Sequence, residues 1–249
     1  MQPKLNVLIL AAGNTQYQDS DGGYPLYLAE FNGKPVIEQC FNSCQQASPS
    51  TIIMACREQD VSHYHLGNVP ALLNQNARML SIRGETKGAA CTALLASPSI
   101  DNDDNLLIVS VNEILDLNYG EAVQAFRDAK LDAGVVTFPS IHPRYSYVKV
   151  DPQTDLLIET AEKHPISQDA AASFYWFAKG SDFVTAAQEM IRKDANVGGL
   201  FYICPSLNQL ILRQKRVGRL QIERNQYHPL KTDRQITNFE HSHERSVTK

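Results

Sequence analysis

The chain has 249 residues, of which 43% are hydrophobic and 20% charged, and its formal net charge is −4. This composition is that of an ordinary globular protein, and the length is enough for one domain or for one domain with a small lobe. Because the net charge is negative, there is no general attraction for nucleic acid, and we expect no nucleic-acid partner.

The five cysteines are an odd number, which predicts free thiols and not a disulfide framework. Cys40 and Cys44 are four residues apart on a predicted helix, but no Cys or His pair with zinc spacing accompanies them. Buried thiols are typical of a reducing compartment. No apolar run reaches the ~18 residues of a membrane span, and no signal peptide is recognisable. We therefore expect a cytoplasmic protein with no membrane span.

The first half of the chain alternates short apolar runs with segments of helical periodicity. Strands are predicted at 5–11, 51–56, 79–82, 106–111 and 133–138. Helices are predicted at 35–46, 87–96 and 119–129. This alternation indicates an α/β, Rossmann-like fold with a mixed, mainly parallel sheet and helices on both faces. Sites in such folds gather at the carboxyl ends of strands, so we expect the loops after Ala11, Ile82 and Val111 to share one rim.

From about residue 140 the pattern changes to a small β-rich lobe. The segment YSYVKVDPQTDLLIETAEK predicts a hairpin with a turn at 151–155, and AASFYWFAKG predicts another strand. Helices are predicted from Gly180 to about Lys193 and from Pro205 onwards, followed by a late strand, VGRLQIE. The pattern predicts a single domain at 1–240 and a polar tail at 241–249.

The loop after the first strand raises a functional question. The stretch LNVLILAAGNTQYQDSDGGYPLYLAEFNGKPVIEQC begins like a nucleotide-binding strand and loop, with an apolar run, two alanines and a glycine. Phosphates need backbone amides and positive charge nearby. Asn14, Thr15 and Gln16 follow Gly13, however, and no basic residue occurs before Lys34. The loop therefore lacks the groups that a triphosphate requires.

Four later segments are distinctive: GETKGAACTALLA (84–96), HPRYSYVKVD (142–151), AEKHPIS (161–167) and GGLFYICPSLNQLI (198–211). In this order, from about Asn6 to Phe239, the chain resembles the sugar-phosphate nucleotidylyltransferases, or NDP-sugar pyrophosphorylases, especially compact bacterial members found with capsule and surface-polysaccharide genes. The resemblance implies the nucleotide-diphospho-sugar transferase fold. It also implies a nucleotide-binding half at about 1–140, a sugar-binding half at about 141–240, and a nucleotide-sugar or sugar-phosphate ligand.

In that family a glycine-rich turn ending in arginine and a later Pro-Lys pair neutralise the triphosphate, and an aspartate after the fourth strand holds Mg²⁺. The arginine aligns with Gln16, the lysine with Leu26 and the metal aspartate with Asn112. The C-terminal Gly-Leu-Gly-Thr-Pro turn of the family has become PLKTD at 229–233. Because charge placement supplies most of the catalysis in such transfer reactions, the resemblance implies impaired or lost catalysis.

Other positions match the family. The nucleotide-binding positions that carry over are small residues, which let a base approach the backbone: Ala11, Ala12, Gly13, Gly88 and Ala89. Glu162 and Lys163 match the pair that in the family holds the sugar and its phosphate. Each has an alternative interpretation, since Gly88 also suits close helix–strand packing and adjacent charges are usually solvated. A glycine of the family's sugar pocket aligns with Ser173, which implies a narrower pocket.

Three functions agree with these observations. The first is a nucleotidyltransferase-like protein with impaired or lost catalysis, which binds a sugar-phosphate or nucleotide-sugar as a homo-oligomer or as a partner of surface-polysaccharide enzymes. The second is an active enzyme that converts a nucleoside triphosphate and a sugar 1-phosphate to NDP-sugar and pyrophosphate, with Mg²⁺ on Glu113 or Asp116 and phosphate charge from Lys34 or Lys87. The third is a glycosyltransferase-like role, for which the acidic DNDD at 101–104 precedes its strand and lies on the wrong rim.

Overall fold

The structure is a computed structural model that describes residues 3–13, 16–17, 23–31 and 33–230. The predicted tail at 241–249, and the part of PLKTD from Lys231 onwards, lie outside these residues.

Fifteen strands form within the described residues: β1 Leu5–Ala11, β2 Gln16–Tyr17, β3 Tyr24–Pro25, β4 Glu30–Phe31, β5 Lys34–Pro35, β6 Thr51–Arg57, β7 Ala77–Ile82, β8 Asn105–Ser110, β9 Glu113–Leu115, β10 Ala133–Pro139, β11 Ser146–Val150, β12 Leu157–Glu162, β13 Asp169–Phe177, β14 Val217–Gln221 and β15 Tyr227–Pro229. Eight α-helices accompany them: α1 Val36–Gln45, α2 Glu58–His63, α3 Val69–Leu73, α4 Ala89–Leu94, α5 Ser97–Ile100, α6 Tyr119–Asp128, α7 Gly180–Arg192 and α8 Ile203–Leu212.

The predicted mixed α/β fold with a parallel centre is confirmed. Strands β8, β1, β6 and β7 pair in parallel, and β10 pairs in parallel with β14. Strand β13 runs antiparallel to β8, β10 and β11, and the predicted hairpin of β11 and β12 extends the same sheet. The parallel order follows from the helical connections between successive strands, whereas the hairpin needs only a short turn.

Strand β1 shows why helices cover both faces of the sheet. Val7 and Leu8 are adjacent and fully buried, but they belong to different core clusters because successive side chains of a strand point to opposite faces. Val7 joins a cluster that includes Phe41 of α1, and Leu8 joins a cluster that includes Phe183 of α7. The unbroken apolar run of β1 is therefore that of a central strand.

Most predicted boundaries agree with the structure to within two residues. The helix predicted at 87–96 is shorter, at Ala89–Leu94, because Gly88 has a φ of +102° and cannot continue the helix. The helix predicted from Pro205 begins two residues earlier, at Ile203. The sequence patterns did not predict the short antiparallel pair of β9 and β15, which joins Glu113–Leu115 to Tyr227–Pro229.

The segment that follows β3 is joined to α2, just after β6, by polar contacts around Asp60. The Tyr27 hydroxyl donates a hydrogen bond to Asp60 Oδ2 at 3.0 Å. Arg57 donates from Nε to the same oxygen and from Nη2 to Asp60 Oδ1, each at 3.0 Å. A bidentate Arg–carboxylate pair constrains the geometry of both partners. The neighbouring Leu26 is therefore held in one position.

Leu26 is 1% exposed and lies in a small hydrophobic cluster with Ala29, Val36 and Leu230. The position that aligns with the family's lysine is thus part of the packed interior. This burial explains why an apolar residue is tolerated at position 26. Replacing Leu26 with lysine would add a charge and also disrupt the packing of this cluster.

We expect Leu26→Lys to lower the free energy of unfolding by roughly 3 kcal/mol or more, because an ammonium placed in an apolar cluster loses its hydration. Leu26→Met keeps the side chain apolar and similar in volume, and should cost less than about 1.5 kcal/mol. Urea unfolding followed by circular dichroism measures both values. Equal stability of the two variants would contradict the packing described for Leu26.

Candidate functional site

One edge of β13 is shared by two strands that lie end to end. Strand β10 pairs along the other edge, from Ala133 opposite Phe177 to Pro139 opposite Asp169, with a register shift between Val135 and Thr137. On the shared edge, β8 pairs with residues 174–177 and β11 with residues 170–171. The ladder is therefore interrupted opposite residues 172–173, where β8 ends and β11 begins.

A cleft of about 550 Å³ opens at this interruption. Residues after the parallel strands form what we term the loop end: Ala12, Gly13, Glu85, Gly88, Ala89 and Asn112. Residues beside the β11–β12 hairpin form the hairpin end: Arg144, Tyr145, Ser146, Glu162, Lys163 and Tyr202. Glu113, Ser173 and Tyr175 line the cleft between them. The predicted shared rim of the loops after Ala11, Ile82 and Val111 is confirmed.

At the loop end, the Asn112 side chain lies beside Gly13. A Cβ atom on Gly13 would be 3.5 Å from Asn112 Nδ2, which is ordinary contact distance. The Asn112 backbone is fixed, because its N–H donates to Ser110 Oγ at 3.2 Å and its carbonyl accepts from the Leu230 N–H at 2.7 Å. Asn112, which aligns with the metal-binding aspartate of the family, therefore presents a neutral amide to the loop. Ala11 itself is buried and is not part of the described lining.

Gly88 is in close contact with the backbone of Phe201. A Cβ atom on Gly88 would lie 2.4 Å from the Phe201 carbonyl oxygen. The Phe201 N–H donates to the Lys87 carbonyl at 2.8 Å, and the Phe201 carbonyl accepts from the Ala90 N–H at 3.0 Å. Packing alone thus requires glycine here, although the neighbour is the segment before α8 and not a strand, as the alternative interpretation of the sequence expected. A contact between Gly88 and a base stays a prediction.

At the hairpin end, Glu162 and Ser146 are paired across the β11–β12 ladder, and the Ser146 hydroxyl donates to Glu162 Oε2. Lys163 turns the chain with a φ of +55°. Its exposed ammonium donates to the Tyr202 hydroxyl at 2.8 Å and lies 5.0 Å from the centroid of the Tyr202 ring. The hydrogen bond to Tyr202 raises the pKa of Lys163 above its ordinary value. Lys163 therefore keeps its positive charge in the cleft at neutral pH.

The sequence patterns did not single out Arg144, which also lines the hairpin end. Its guanidinium carbon lies 5.2 Å from the centroid of the Tyr145 ring, in a cation–π arrangement. Arg144 and Lys163 are the cations among the described lining residues. Lys34, by contrast, pairs with Glu38 at 3.0 Å, and neither Lys34 nor Lys87 is among these lining residues. The distinctive segment HPRYSYVKVD contained the signal for Arg144, but its position became visible only in the fold.

Glu113 or Asp116 was predicted to hold Mg²⁺ in the active-enzyme alternative, and the structure places these two carboxylates apart. Glu113 is 6% exposed; its Oε1 accepts a hydrogen bond from the Ser173 N–H, and its Oε2 accepts one from the Tyr227 hydroxyl at 3.0 Å. Asp116 is exposed, binds His228 Nε2 at 2.8 Å, and is not part of the described cleft lining. The two carboxylates do not converge. Glu113, on β9, binds Ser173 of β13, whereas Asp116 lies just after β9 and binds His228.

Mg²⁺ is usually held by one or two carboxylates together with waters and substrate phosphates. Asn112 offers only a neutral amide, and the neighbouring Glu113 carboxylate is 6% exposed, so this position is a poor Mg²⁺ site. Within residues 3–13, 16–17, 23–31 and 33–230, no group of three or more His, Cys, Asp or Glu side chains is placed to hold a metal ion.

No helix in the described part of the chain is long and apolar enough to cross a membrane.

Tyr175 lies on the floor of the cleft, on the same face of β13 as Ser173. Burial raises the pKa of Tyr175 well above its ordinary value, and the neighbouring Cys204, Glu162 and Glu113 raise it further. Of the three glutamates in the described lining, Glu85 is at the loop end, Glu113 is in the middle, and Glu162 is at the hairpin end with the two cations.

We expect Gly88→Ala to lower the free energy of unfolding by roughly 2 kcal/mol or more, because the new methyl group overlaps the Phe201 carbonyl and the φ of +102° is unfavourable for alanine. Gly67→Ala is the matched control, since a Cβ atom there meets nothing within 4 Å. Its effect should be within about 1 kcal/mol of zero. Denaturant unfolding without any ligand measures both, and equal stability would contradict the packing requirement at Gly88.

Residues 22–201 match the family described as Nucleotidyl transferase. No curated protein matches the chain significantly. Among solved structures, a nucleoside-diphosphate-sugar pyrophosphorylase from Vibrio cholerae RC9 superposes with a TM-score of 0.79 and 18% identity, over 95% of this chain and 99% of that one.

Two further solved structures are similar. A Bacillus anthracis protein described as a glucose-1-phosphate thymidylyltransferase, in complex with a sucrose, has a TM-score of 0.75 and 15% identity over 95% of this chain and 94% of its own. A UDP-glucose pyrophosphorylase complexed with UDP-glucose has a TM-score of 0.76 and 12% identity, over 98% of this chain and 99% of its own. At these identities the structures support the nucleotide-diphospho-sugar transferase fold. Because the family match covers more than half of the chain, the protein belongs to the nucleotidyl transferase family.

Proposed function

We propose that this protein binds a sugar-phosphate or nucleotide-sugar and has impaired or lost nucleotidyltransferase catalysis. The observation that supports this proposal most strongly is the distribution of charge along the cleft. Both cations of the described lining, Arg144 and Lys163, are at the hairpin end, and the described loop end contains none.

A triphosphate would meet unfavourable charges at the loop end. Phosphoryl-type transfer depends on cations and metal ions that neutralise the reacting phosphates. Here the loop end presents the Asn112 amide and the Glu85 carboxylate instead. The loop residues that the structure does not describe, 14–15 and 18–22, contain no Lys or Arg but two Asp in their sequence. These features favour weak triphosphate binding and argue against efficient catalysis.

The hairpin end suits a phosphorylated sugar. Lys163 and Arg144 supply two positive charges for a phosphate, and a guanidinium also matches phosphate geometry with paired donors. Glu162 and Ser146 supply polar groups for sugar hydroxyls. The related structures with bound sucrose and UDP-glucose support a sugar ligand for this cleft as well.

Under this proposal, Ala12, Gly13, Gly88 and Ala89 accommodate the nucleoside part of a nucleotide-sugar. The protein serves surface-polysaccharide synthesis in the cytoplasm as a binding, regulatory or partner subunit, as its resemblance to compact bacterial members suggests. Mg²⁺ is a cofactor only if the protein proves to be an active enzyme.

A thermal-shift comparison of ligands tests the proposal, since a ligand that binds only the folded state raises the unfolding midpoint. We expect sugar 1-phosphates or nucleotide-sugars to raise the midpoint clearly. Nucleoside triphosphates should raise it little, with or without Mg²⁺, because the described loop end lacks cations. A large, Mg²⁺-dependent shift with any triphosphate would contradict the proposal and favour the active enzyme.

Substitutions of the two cleft cations test where the phosphate of the ligand binds. Lys163→Ala and Arg144→Ala should each weaken binding of the best sugar ligand by about 1.5–3 kcal/mol, the range of a hydrogen bond to a charged group. Lys149→Ala is the matched control, because Lys149 is exposed on β11 and is not among the described lining residues. Calorimetric titration measures each affinity. Unchanged affinity in folded Lys163→Ala and Arg144→Ala would place the phosphate elsewhere.

A further inference from the structure

The ammonium group of Lys163 is held by a neutral partner. Its Nζ donates to the Tyr202 hydroxyl at 2.8 Å, and this hydrogen bond is the largest influence on the pKa of Lys163, ahead of that of the neighbouring Glu162. Other lysines of the described chain donate instead to carboxylates: Lys34, Lys179 and Lys215. A carboxylate neutralises the charge that it holds, whereas a hydroxyl holds an ammonium and leaves its charge in place.

Tyr202 projects from a fixed part of the backbone. It is half-buried and lies directly before α8, between Phe201 and Ile203, which are 6% and 5% exposed. The backbone of Phe201 forms two hydrogen bonds with residues at the start of α4. Its N–H donates to the Lys87 carbonyl at 2.8 Å, and its carbonyl accepts from the Ala90 N–H at 3.0 Å. The Tyr202 ring is therefore held in place without any ligand.

The Lys163 backbone is fixed as well, so the freedom that remains is that of its side chain. The Lys163 N–H donates to the Tyr145 carbonyl at 3.0 Å. An exposed lysine side chain has many rotamers, and holding it in one of them costs conformational entropy. Tyr202 limits this freedom through the hydrogen bond and through its ring, whose centroid is 5.0 Å from Nζ.

Order of this kind, present before binding, strengthens binding. A ligand that meets a side chain already held in place does not have to immobilise it. An ammonium group donates three hydrogen bonds, and the Tyr202 hydroxyl accepts one of them, so two remain for a phosphate. The contact with Tyr202 therefore orients the ammonium and leaves it able to bind.

We propose that Tyr202 is the positioning residue of Lys163: it holds the ammonium in the cleft before a ligand arrives and so strengthens the binding of the ligand's phosphate. This inference rests on the proposed function, because it names the residue that prepares one of the two cleft cations for the phosphate. Tyr202 acts through Lys163 and does not itself bind the ligand.

Tyr202→Phe tests this role, since it removes the hydroxyl and keeps the ring. Calorimetric titration with glucose 1-phosphate should show an affinity roughly threefold to tenfold weaker than that of the wild type, the cost of immobilising one flexible side chain. Tyr64→Phe is the matched control, because Tyr64 is also half-buried, its hydroxyl donates to the Gly23 carbonyl at 3.5 Å, and it is not among the described lining residues. Its affinity should equal that of the wild type.

A second pair of variants shows whether Tyr202 acts through Lys163. In a Lys163→Ala background, adding Tyr202→Phe should cause no further loss of affinity for glucose 1-phosphate, because the group that Tyr202 positions is already absent. A loss of the same size in both backgrounds would show that Tyr202 contacts the ligand directly, and would overturn the positioning role.

NMR of the ligand-free protein tests the same contact without any binding. The side-chain signal of Lys163 is assigned by its absence in Lys163→Ala, and its pH titration gives the pKa of the ammonium. Because the hydrogen bond to Tyr202 favours the charged form, Tyr202→Phe should lower this pKa. Equal pKa values in the wild type and in Tyr202→Phe would overturn the inference.

The outcomes separate this inference from the proposed function. Unchanged affinity for glucose 1-phosphate in Tyr202→Phe, in a variant that unfolds at the wild-type midpoint, would overturn the positioning role and leave the proposed function intact. Failure of the wild type to bind glucose 1-phosphate, or any other sugar-phosphate or nucleotide-sugar, would overturn the proposed function and the inference with it.

Discussion

Strand β13 pairs with one strand, β10, along one edge and with two strands, β8 and β11, along the other, and the cleft depends on that division. Strand β8 ends and β11 begins opposite residues 172–173, so the loops after β1 and β8 face the β11–β12 hairpin across a gap. The gap also exposes a backbone N–H, at Ser173, which needs an acceptor. Glu113 is that acceptor, and it therefore links the integrity of the sheet to the chemistry of the cleft.

The two ends of the cleft differ in the kind of group that they present. At the loop end two glycines, two alanines and the Asn112 amide leave space but supply no positive charge within the described lining. At the hairpin end two cations lie over aromatic rings, Arg144 on Tyr145 and Lys163 on Tyr202. Since fold and catalysis are separable, a scaffold of this family can keep one end of its site while the other loses its function.

Much of the fold could be predicted because it depends on local patterns. The apolar runs of β1, β6 and β8 and the helices between them fixed the parallel order, and the rim after Ala11, Ile82 and Val111 followed from that order. The neutral position Asn112 was also visible in the sequence, and the structure adds that its amide lies beside Gly13. The family and the fold therefore followed from the sequence, whereas the charges and contacts inside the cleft needed the three-dimensional arrangement.

The contacts that could not be predicted join residues that are distant in the sequence. Glu113 is held by Ser173 and Tyr227, and no local pattern indicates either partner. Leu26 appeared as a lost lysine, but its burial depends on Val36 and Leu230, which lie far apart in the chain. Asp116 was grouped with Glu113 by proximity in sequence, and the β9–β15 pairing places it against His228 instead.

Pyrophosphate release tests most directly the claim that the loop end no longer supports catalysis. The wild-type protein would be mixed with Mg²⁺, each common nucleoside triphosphate, and glucose 1-phosphate or glucosamine 1-phosphate, and pyrophosphate followed by a coupled assay. The account predicts no release above the rate without protein. Robust release that requires both Mg²⁺ and the sugar-phosphate would contradict it, and would show that groups other than those at Gln16, Leu26 and Asn112 supply the charge for the reaction.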